Sequence, residues 1–243
     1  MLLDRTTTHR KIWKSNNVLQ SAYKNWYRLM VSYLSSVPGE SIEYGSGCGN
    51  FKEYHPIALA SDLHWEKWLD LCADALHPPI KSNSLANIIM IDVLHHLPNP
   101  LVFFRQTAKI LKQGGRIILI EPFPSLFSLP VYRKFHPEPF IIDPEYCKRF
   151  LDPSLVAETE NQAIAYLLFF RQFQEIENYI GLHYSVITKK KIGWLLYPLS
   201  GGFSHAAFIP NFIIPLCQVV ERCLAPLVHL LAFRCYIVLE KRY

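Results

Sequence analysis

Three glycines occupy alternate positions in the segment SIEYGSGCGNF, residues 41–51, and Glu43 lies two residues before the first of them. Glycine has no Cβ, so the backbone N–H groups of Gly45, Gly47 and Gly49 can approach a bound ligand closely. A dinucleotide site would need a third glycine five residues after the first, where this chain has asparagine. The spacing therefore predicts a ligand that is bound by backbone amides and a carboxylate, without a cradle for a pyrophosphate.

Several side chains that could transfer a proton come after strand-like runs. His95 and His96 follow a run that ends at Asp92, and Glu121 ends the next run, at the edge where open sheets place functional groups. We expect His96, Glu121 and His136 to be candidates for a general base, which is needed only if the acceptor must lose a proton. Glu121 could equally cap the turn that follows it. Adjacent histidines without a suitably spaced carboxylate are poor metal ligands, so no metal site is predicted.

The elements that must position these groups can be read from the hydrophobic periodicity. Short apolar runs of strand type lie around 41–44, 57–62, 88–92 and 117–121, the last after a predicted turn at Gly114 and Gly115. Helical patterns cover 17–36 and 101–113. Strands that alternate with helices imply parallel strands joined by right-handed crossovers, so the first half of the chain is predicted to be a doubly wound α/β sheet.

The second half departs from this alternation. A segment rich in proline and aromatic residues begins at 123 and is predicted to cap the strand ends as far as about 180. Strand patterns at 181–191 and 233–242 flank an apolar segment, 203–233, which prolines and a charged pair interrupt before any apolar run reaches 18 residues. Three interpretations of that segment remain open: buried core or lid helices, a dimer interface, or a membrane surface that takes up a lipid-like substrate.

Composition excludes several classes of protein. Half of the 243 residues are hydrophobic and 19% are charged, which indicates one folded domain rather than disorder. The net charge is +5, but the only tight basic cluster is 189–191, so nucleic acid is not a predicted partner. Six cysteines without a CxxC pair indicate reduced thiols. Because the first residues resemble neither a signal peptide nor a membrane span, we expect a cytoplasmic protein, with peripheral membrane contact through 203–233 as one of the open interpretations.

Four segments, in order along the chain, resemble motifs of the class I S-adenosylmethionine-dependent methyltransferases, particularly the type 11 group. They are IEYGSGCG at 42–49, ASD at 60–62, ADALHPPIKSNSLANIIMIDVLHHLPNP at 73–100 and ILKQGGRIILIEP at 110–122. The resemblance implies a Rossmann-like, doubly wound, mostly parallel seven-stranded sheet, followed by a cap and an apolar helical insertion. As one domain over 1–243, it would comprise a helix at 17–36, a cofactor-binding core at 37–122, a cap at 123–180 and last strands at 181–243.

The resemblance also implies S-adenosylmethionine as the cofactor. The glycine loop would line its methionine and ribose side, Glu43 would support its amino end, and Asp62 would accept hydrogen bonds from both ribose hydroxyls. Asp74 and Ala75 would meet the adenine edge, and 92–95 would border the methionine moiety. The full set of implied cofactor-binding residues is Glu43, Tyr44, Gly45, Gly47, Gly49, Asp62, Leu63, Asp74, Ala75, Asp92, Val93 and His95.

The implied activity is transfer of the sulfonium methyl group to a small-molecule or lipid-like, amphipathic acceptor by in-line displacement. The alternative is a protein that binds adenosylmethionine without catalysis, or a membrane-surface partner module that keeps the fold. A nicotinamide-dependent reductase is disfavoured by the glycine spacing.

Overall fold

The computed structural model describes residues 2–152, 160–171 and 174–242. Its seven strands form one sheet, as predicted. They are β1 (Glu40–Tyr44), β2 (Leu59–Asp62), β3 (Leu71–Cys72), β4 (Leu85–Ile91), β5 (Leu111–Pro122), β6 (Tyr184–Ile192) and β7 (Arg234–Lys241).

The strand order is β3-β2-β1-β4-β5-β7-β6. Pairs among the first five strands are parallel, whereas β7 is antiparallel to both of its neighbours, β5 and β6. The order reverses between β1 and β4, so the carboxyl ends of these two strands open a crevice of the kind where doubly wound sheets bind ligands. The predicted α/β class with a mostly parallel sheet is confirmed.

Ten helices accompany the sheet in the described ranges. They are α1 (Leu2–Ser15), α2 (Asn17–Ser32), α3 (Pro100–Ile110), α4 (Ser128–Phe135), α5 (Pro144–Lys148), α6 (Ile164–Phe170), α7 (Gln174–Gly181), α8 (Leu196–Leu199), α9 (Ile214–Cys223) and α10 (Val228–Leu231). The first two pack on one face of the sheet, and α3, α6 and α7 pack on the other. Both faces of the central strands are therefore buried, which explains why those strands are continuous apolar runs.

The amphipathic helix predicted at 17–36 is present as α2 and ends four residues earlier, at Ser32. Its start is fixed by Asn16, whose side-chain oxygen accepts a hydrogen bond from the backbone N–H of Leu19 at 2.9 Å. The helix α1 was not predicted, because few apolar residues mark a buried face in it. Its main anchor is Trp13, which is buried among the aromatic side chains of α2.

Two boundaries near β5 differ from the predictions. The helix α3 ends at Ile110 rather than 113, and β5 begins at Leu111. The predicted turn at Gly114 and Gly115 is instead an irregularity inside the strand, because the pairing with β4 shifts after Leu111 before resuming at Arg116. Gly114 has φ = +71°, which explains the glycine at this bulge.

The cap predicted at 123–180 contains the helices α4 to α7, with 153–159 and 172–173 outside the described residues. The apolar segment 203–233 contains α9 and α10. No described helix is long and apolar enough on its own to cross a membrane. Only the helical pair Asn211–Cys223 and Ala225–Leu231 reaches the required length and hydropathy together, and the two are bent by 68°.

Candidate functional site

The glycine loop leaves β1 with all three glycines in the left-handed region, at φ = +66°, +47° and +71°. A Cβ on Gly45 would lie 2.2 Å from Cγ2 of Val93, and one on Gly49 would lie 3.0 Å from Cδ1 of Trp68. A Cβ on Gly47 would have no heavy atom of the described residues within 4 Å. Gly45 and Gly49 therefore let the loop pack against the protein, whereas Gly47 faces open space, where a ligand could approach its backbone.

Glu43 lies at the base of this loop and is buried. Its Oε2 atom accepts no hydrogen bond from any described residue. Burial raises the pKa of Glu43 to about 8, against a smaller lowering by a hydrogen bond from Ser46. A buried carboxyl with one unpartnered oxygen that lines a cavity is a site for a cationic group.

Asp62, at the end of β2, holds the glycine loop. Its Oδ2 atom accepts a hydrogen bond from the N–H of Gly47 at 2.8 Å, and its Oδ1 atom accepts one from the N–H of Leu63 at 2.7 Å. A carboxylate has about four acceptor positions, so two remain for a hydroxyl-bearing ligand. The Leu63 side chain itself is 60% exposed.

The residues expected near an adenine lie beyond β3. Asp74 accepts hydrogen bonds from the N–H of Leu76 at 2.8 Å and pairs with Nδ1 of His77 at 2.9 Å, so its carboxylate orders its own turn. Ala75 is buried and belongs to the same hydrophobic cluster as Tyr44. The hydroxyl of Tyr44 is buried without a hydrogen-bond partner among the described residues.

Asp92 follows β4 with φ = +55°, which is unusual for a residue other than glycine. Its Oδ2 atom lies 3.1 Å from Nη2 of the buried Arg234, at the start of β7. Burial raises the pKa of Asp92, and the Arg234 charge offsets part of that effect. Arg234 also donates to the hydroxyls of Tyr132 and Tyr197, which join β7 to the cap and to α8.

His95 is buried between two carboxylates. Its Nδ1 atom lies 2.5 Å from Oε2 of Glu121, and its Nε2 atom lies 3.4 Å from Oε2 of Glu138. Burial alone would lower the pKa of His95, but the charge of Glu121 and the bonds to both carboxylates outweigh it and raise the pKa to about 10. His95 is therefore an imidazolium at neutral pH.

Glu121 is fully buried and its acceptors are engaged. Burial favours its neutral form, but the charge of His95 and hydrogen bonds from the N–H groups of Val93 and Leu94 lower its pKa. Because this carboxylate lies behind His95 and does not line the cavity, it can act on a ligand only through that histidine. The side chain of Glu121 therefore caps the turn at 93–94, after β4, and not the turn that follows Glu121 itself, which was its alternative role in the sequence analysis.

The two remaining candidate histidines, His96 and His136, also line the cavity. His96 pairs with Glu160 at 3.1 Å, and the side chains are 38% and 51% exposed. His136 is contacted by the side-chain amide of Gln162, and burial is the main cause that lowers its pKa. A neutral imidazole at pH 7 is the state that a proton acceptor requires.

One cavity of about 280 Å³ joins the glycine loop to these histidines. Of the residues predicted from the sequence, it brings together Glu43, Gly45, Gly47, Asp92, His95, His96 and His136. It is not lined by Tyr44, Gly49, Asp62, Leu63, Asp74, Ala75, Val93 or Glu121. The cavity therefore contains the methionine side of the expected cofactor site and the expected acceptor side, whereas the residues expected at the ribose and adenine lie outside it.

Three side chains of the cavity, from His95, His96 and Glu138, lie close enough together to bind a metal ion. One ligand atom from each of His95, His96 and Glu138 lies within 4.8 Å of the others. The imidazolium of His95 already supplies the positive charge that neutralises Glu138, whose pKa is lowered to about 2 despite its partial burial. A metal ion would have to displace that proton. The absence of a metal site stays a prediction.

Sequence reasoning missed three residues that line this cavity. Gln162 comes from the cap, Tyr197 from α8 and Arg234 from β7. No local motif marks them, since they meet the glycine loop only through the path of the chain after β5. The one signal was Arg234 itself, a charge at the start of an otherwise apolar strand pattern.

The chain is similar to known methyltransferases. Residues 53–119 match the family described as a methyltransferase domain, type 11. No curated protein matches the chain. The match begins just after the glycine loop and ends within β5.

Three solved structures illustrate the similarity in fold. A chain of the Haloferax volcanii complex between the Trm112 methyltransferase activator and a methyltransferase is 12% identical, with a TM-score of 0.51, over 96% of this chain and 93% of that one. A SAM-dependent methyltransferase from Archaeoglobus fulgidus is 14% identical, with a TM-score of 0.49, over 90% and 93%. Geranyl diphosphate C-methyltransferase from Streptomyces coelicolor, in complex with Mg²⁺, geranyl diphosphate and S-adenosyl-L-homocysteine, is 10% identical, with a TM-score of 0.49, over 90% and 77%.

Proposed function

We propose that this chain is a class I S-adenosylmethionine-dependent methyltransferase that methylates a small or amphipathic acceptor by in-line displacement in the cavity between the glycine loop and the cap. One observation carries the proposal. The same cavity is lined by Glu43 and Gly47 beside β1 and by His136 and Glu138 of the cap. Groups suited to a cationic donor and groups suited to a proton-bearing acceptor therefore face one cavity.

The donor end fits adenosylmethionine by its chemistry. The unpartnered carboxyl oxygen of Glu43 suits the amino group of the methionine moiety, and Gly47 leaves room for close approach to the backbone. Asp62 retains free acceptor positions for ribose hydroxyls. When bound, adenosylmethionine supplies a methyl group on a positively charged sulfur, which is already a good leaving group.

The protein's own task is then to position the acceptor. Holding two reactants in a reactive orientation can remove about 7–11 kcal/mol of the barrier. The fixed pair of His95 and Glu121 and the cap residues Glu138 and Gln162 give that end a set of hydrogen-bonding groups held in place by packing. If the acceptor must lose a proton, His136 is the cavity histidine with a lowered pKa, and it is our candidate for the base.

The lining of the cavity supports an amphipathic acceptor. Aromatic and apolar side chains stand beside the polar groups; they are Tyr23, Tyr27, Ile91, Pro122, Tyr197 and Phe203. Sites for small organic ligands combine an apolar lining with a few placed polar groups. A purely ionic acceptor would leave these six side chains without a complementary surface.

The proposal is tested by following S-adenosylhomocysteine release with two acceptor panels, one of water-soluble hydroxy, amino and carboxylic compounds and one of the same head groups carrying an alkyl chain. We expect turnover with the alkyl panel to exceed turnover with the soluble panel. The Gly47→Asp variant should abolish it, and Gly47→Ala should retain part of it, because only the aspartate fills the open space. Donor binding without turnover on either panel would contradict the proposed acceptor class.

A further inference from the structure

An apolar surface covers one side of the protein next to the cap. Eight large apolar side chains in two segments are between 37% and 80% exposed: Leu126, Phe127, Val131, Phe135, Phe208, Phe212, Leu216 and Val219. The α9–α10 turn continues this surface with Leu224, Leu227 and Leu230. Contiguous apolar exposure of this kind marks an interaction site rather than ordinary solvent-facing surface. We refer to these eleven residues as the apolar surface.

The helix α9 shows the pattern most clearly. Its inner face packs through Cys217 against Val18 and Ala22 of α2. Its outer face carries Leu216 and Val219, which are three residues apart and so lie on one side of the helix, and the exposed Phe212 lies in the helical turn just before it. A helix that is apolar on two opposite faces needs a second apolar partner beyond the one it already packs against.

The two segments of the surface are joined in space. The backbone N–H of Phe127 donates a hydrogen bond to the carbonyl of Leu230 at 3.2 Å, which brings the start of α4 against α10. Tyr132 of α4 also packs its ring on Phe233. The side chains of both segments can therefore contact one partner.

The charges within these segments are biased. Residues 123–136 and 194–233 contain Arg133, Lys134, Glu221 and Arg222 as their only Asp, Glu, Lys or Arg residues. Arg133, Lys134 and Arg222 are exposed, and Lys134 lies over the ring of the exposed Phe135. Glu221 is turned inward, where its Oε1 atom accepts hydrogen bonds from the N–H groups at the start of α8. Exposed cations thus accompany the apolar side chains, without an exposed acid in either segment.

The surface also adjoins the cavity. Pro122 and Ser204 both line it, and the apolar surface begins four residues after each, at Leu126 and Phe208. Four residues of extended chain span at most about 14 Å. The cavity wall and the apolar surface are therefore parts of the same two segments.

We propose that the apolar surface docks on the face of an anionic lipid bilayer and presents the cavity to an amphipathic acceptor held there. The α9 and α10 helices would lie in the interface with their outer apolar side chains among the lipids, while the flanking cations meet acidic head groups. Lying on the membrane fits the 68° bend, because neither helix is long enough to cross the hydrocarbon layer of about 30 Å. The path of the acceptor rests on the proposed function, whereas the docking itself does not.

A second copy of the chain would suit this surface less well. In a symmetric dimer the same patch faces itself, so Arg133, Lys134 and Arg222 of one copy would be brought near those of the other. Like charges brought together at an interface oppose association. An anionic bilayer instead offers both an apolar interior and charges of the opposite sign.

The experiment is flotation of the purified full chain with vesicles, without donor or acceptor. We expect it to float with vesicles that contain phosphatidylglycerol, and to do so less with phosphatidylcholine alone or at high salt. The double variant Phe212→Ser with Leu216→Ser should lower partition by about tenfold or more, because two exposed apolar anchors are lost. The variant Arg133→Gln with Lys134→Gln should reduce the preference for the anionic vesicles.

The matched control is Ile57→Ser with Leu182→Ser. These side chains are 75% and 73% exposed, but they precede β2 and β6, at the amino ends of these strands, whereas the apolar surface adjoins the carboxyl end of β5. We expect this control to float as the unmodified protein does. Absence of flotation, or equal loss in both double variants, would overturn the proposal. So would a dimer that the Phe212 and Leu216 changes dissociate without any vesicle binding. Adenosylmethionine binding, measured on the same samples, keeps a failure of docking distinct from a failure of the methyltransferase site.

Discussion

His95 and Glu121 form a buried pair, with Nδ1 of the imidazole 2.5 Å from Oε2 of the carboxylate. The two residues end up together because one follows β4 and the other lies in β5, its parallel neighbour. The pair fixes which imidazole nitrogen faces Glu138 and the cavity. Glu121, which was predicted as a candidate base, therefore has a structural role. It holds the imidazole of His95 in place and keeps it protonated.

Glu121→Gln should destabilise the protein by about 3–5 kcal/mol at pH 6, because it leaves the imidazolium of His95 buried without its main partner. The folded-state pKa of His95 lies above its unfolded value of 6.5, so the pair's contribution is fully present below pH 6.5 and is lost as the pH rises toward 10. The difference in unfolding free energy between wild type and variant should shrink over that range. Denaturant titrations at pH 6 and pH 9 measure it, and a constant difference would contradict a charged His95.

Glu43→Gln should change the stability of the protein in the opposite direction to Glu121→Gln. The folded protein holds the Glu43 proton up to about pH 8, whereas the unfolded chain releases it near pH 4.5, so unfolding free energy falls as the pH rises through that window. Without donor, the variant should therefore melt at a higher temperature than wild type at pH 8 and at nearly the same temperature at pH 4.5. It should also bind adenosylmethionine about 10- to 100-fold more weakly, because a charge-assisted hydrogen bond is lost. Unchanged affinity would mean that Glu43 does not meet the amino group.

His136→Ala should lower turnover by about 10²-fold or more if the acceptor loses a proton, with the dissociation constant of the donor unchanged. In wild type, turnover should fall on the acid side as His136 becomes protonated, and because its pKa is lowered this fall should lie below pH 6.5. The His136→Ala variant should lack this fall of turnover at acid pH. An unchanged rate would mean that His136 is not the base and that positioning of the acceptor alone accounts for catalysis.

Glu138→Gln should lower turnover and spare donor binding, because it removes the carboxylate that faces Nε2 of His95 in the cavity. Glu160→Gln is its control, since it removes a carboxylate of the same charge that pairs with His96 but does not line the cavity. We expect the control to retain turnover within about twofold, as for an exposed ion pair. Equal losses in both variants would show that the total charge matters, rather than the position of Glu138.

Removal of divalent metal should leave turnover unchanged. The imidazolium of His95 occupies the position between the carboxylates that a cation at His95, His96 and Glu138 would need. Dialysis against a chelator, followed by a rate measurement, checks this. A loss of activity that added zinc or manganese restores would contradict it and would identify these three residues as ligands.

The parts of this site that follow directly from strands were predictable. The glycine loop, Asp62 and Asp92 lie at the carboxyl ends of strands whose apolar runs are visible in the sequence, so their meeting follows from parallel pairing alone. The two-residue strand β3 was not visible, because two residues show no periodicity. The acceptor side was the least predictable, since Gln162 and Arg234 reach the cavity only through the folding of the cap and the antiparallel return of β7.

The most direct test of the account is a thermal-shift titration with adenosylmethionine, S-adenosylhomocysteine and NAD, on wild type and Gly47→Asp. A ligand at 100 times its dissociation constant should stabilise the folded protein by about 2.7 kcal/mol. We expect both adenosyl compounds to raise the melting temperature of wild type and NAD to leave it unchanged, and we expect the aspartate to remove the shift by filling the open space at Gly47. A shift with NAD alone, or an undiminished shift in the variant, would contradict the assignment of the glycine loop to the methyl donor.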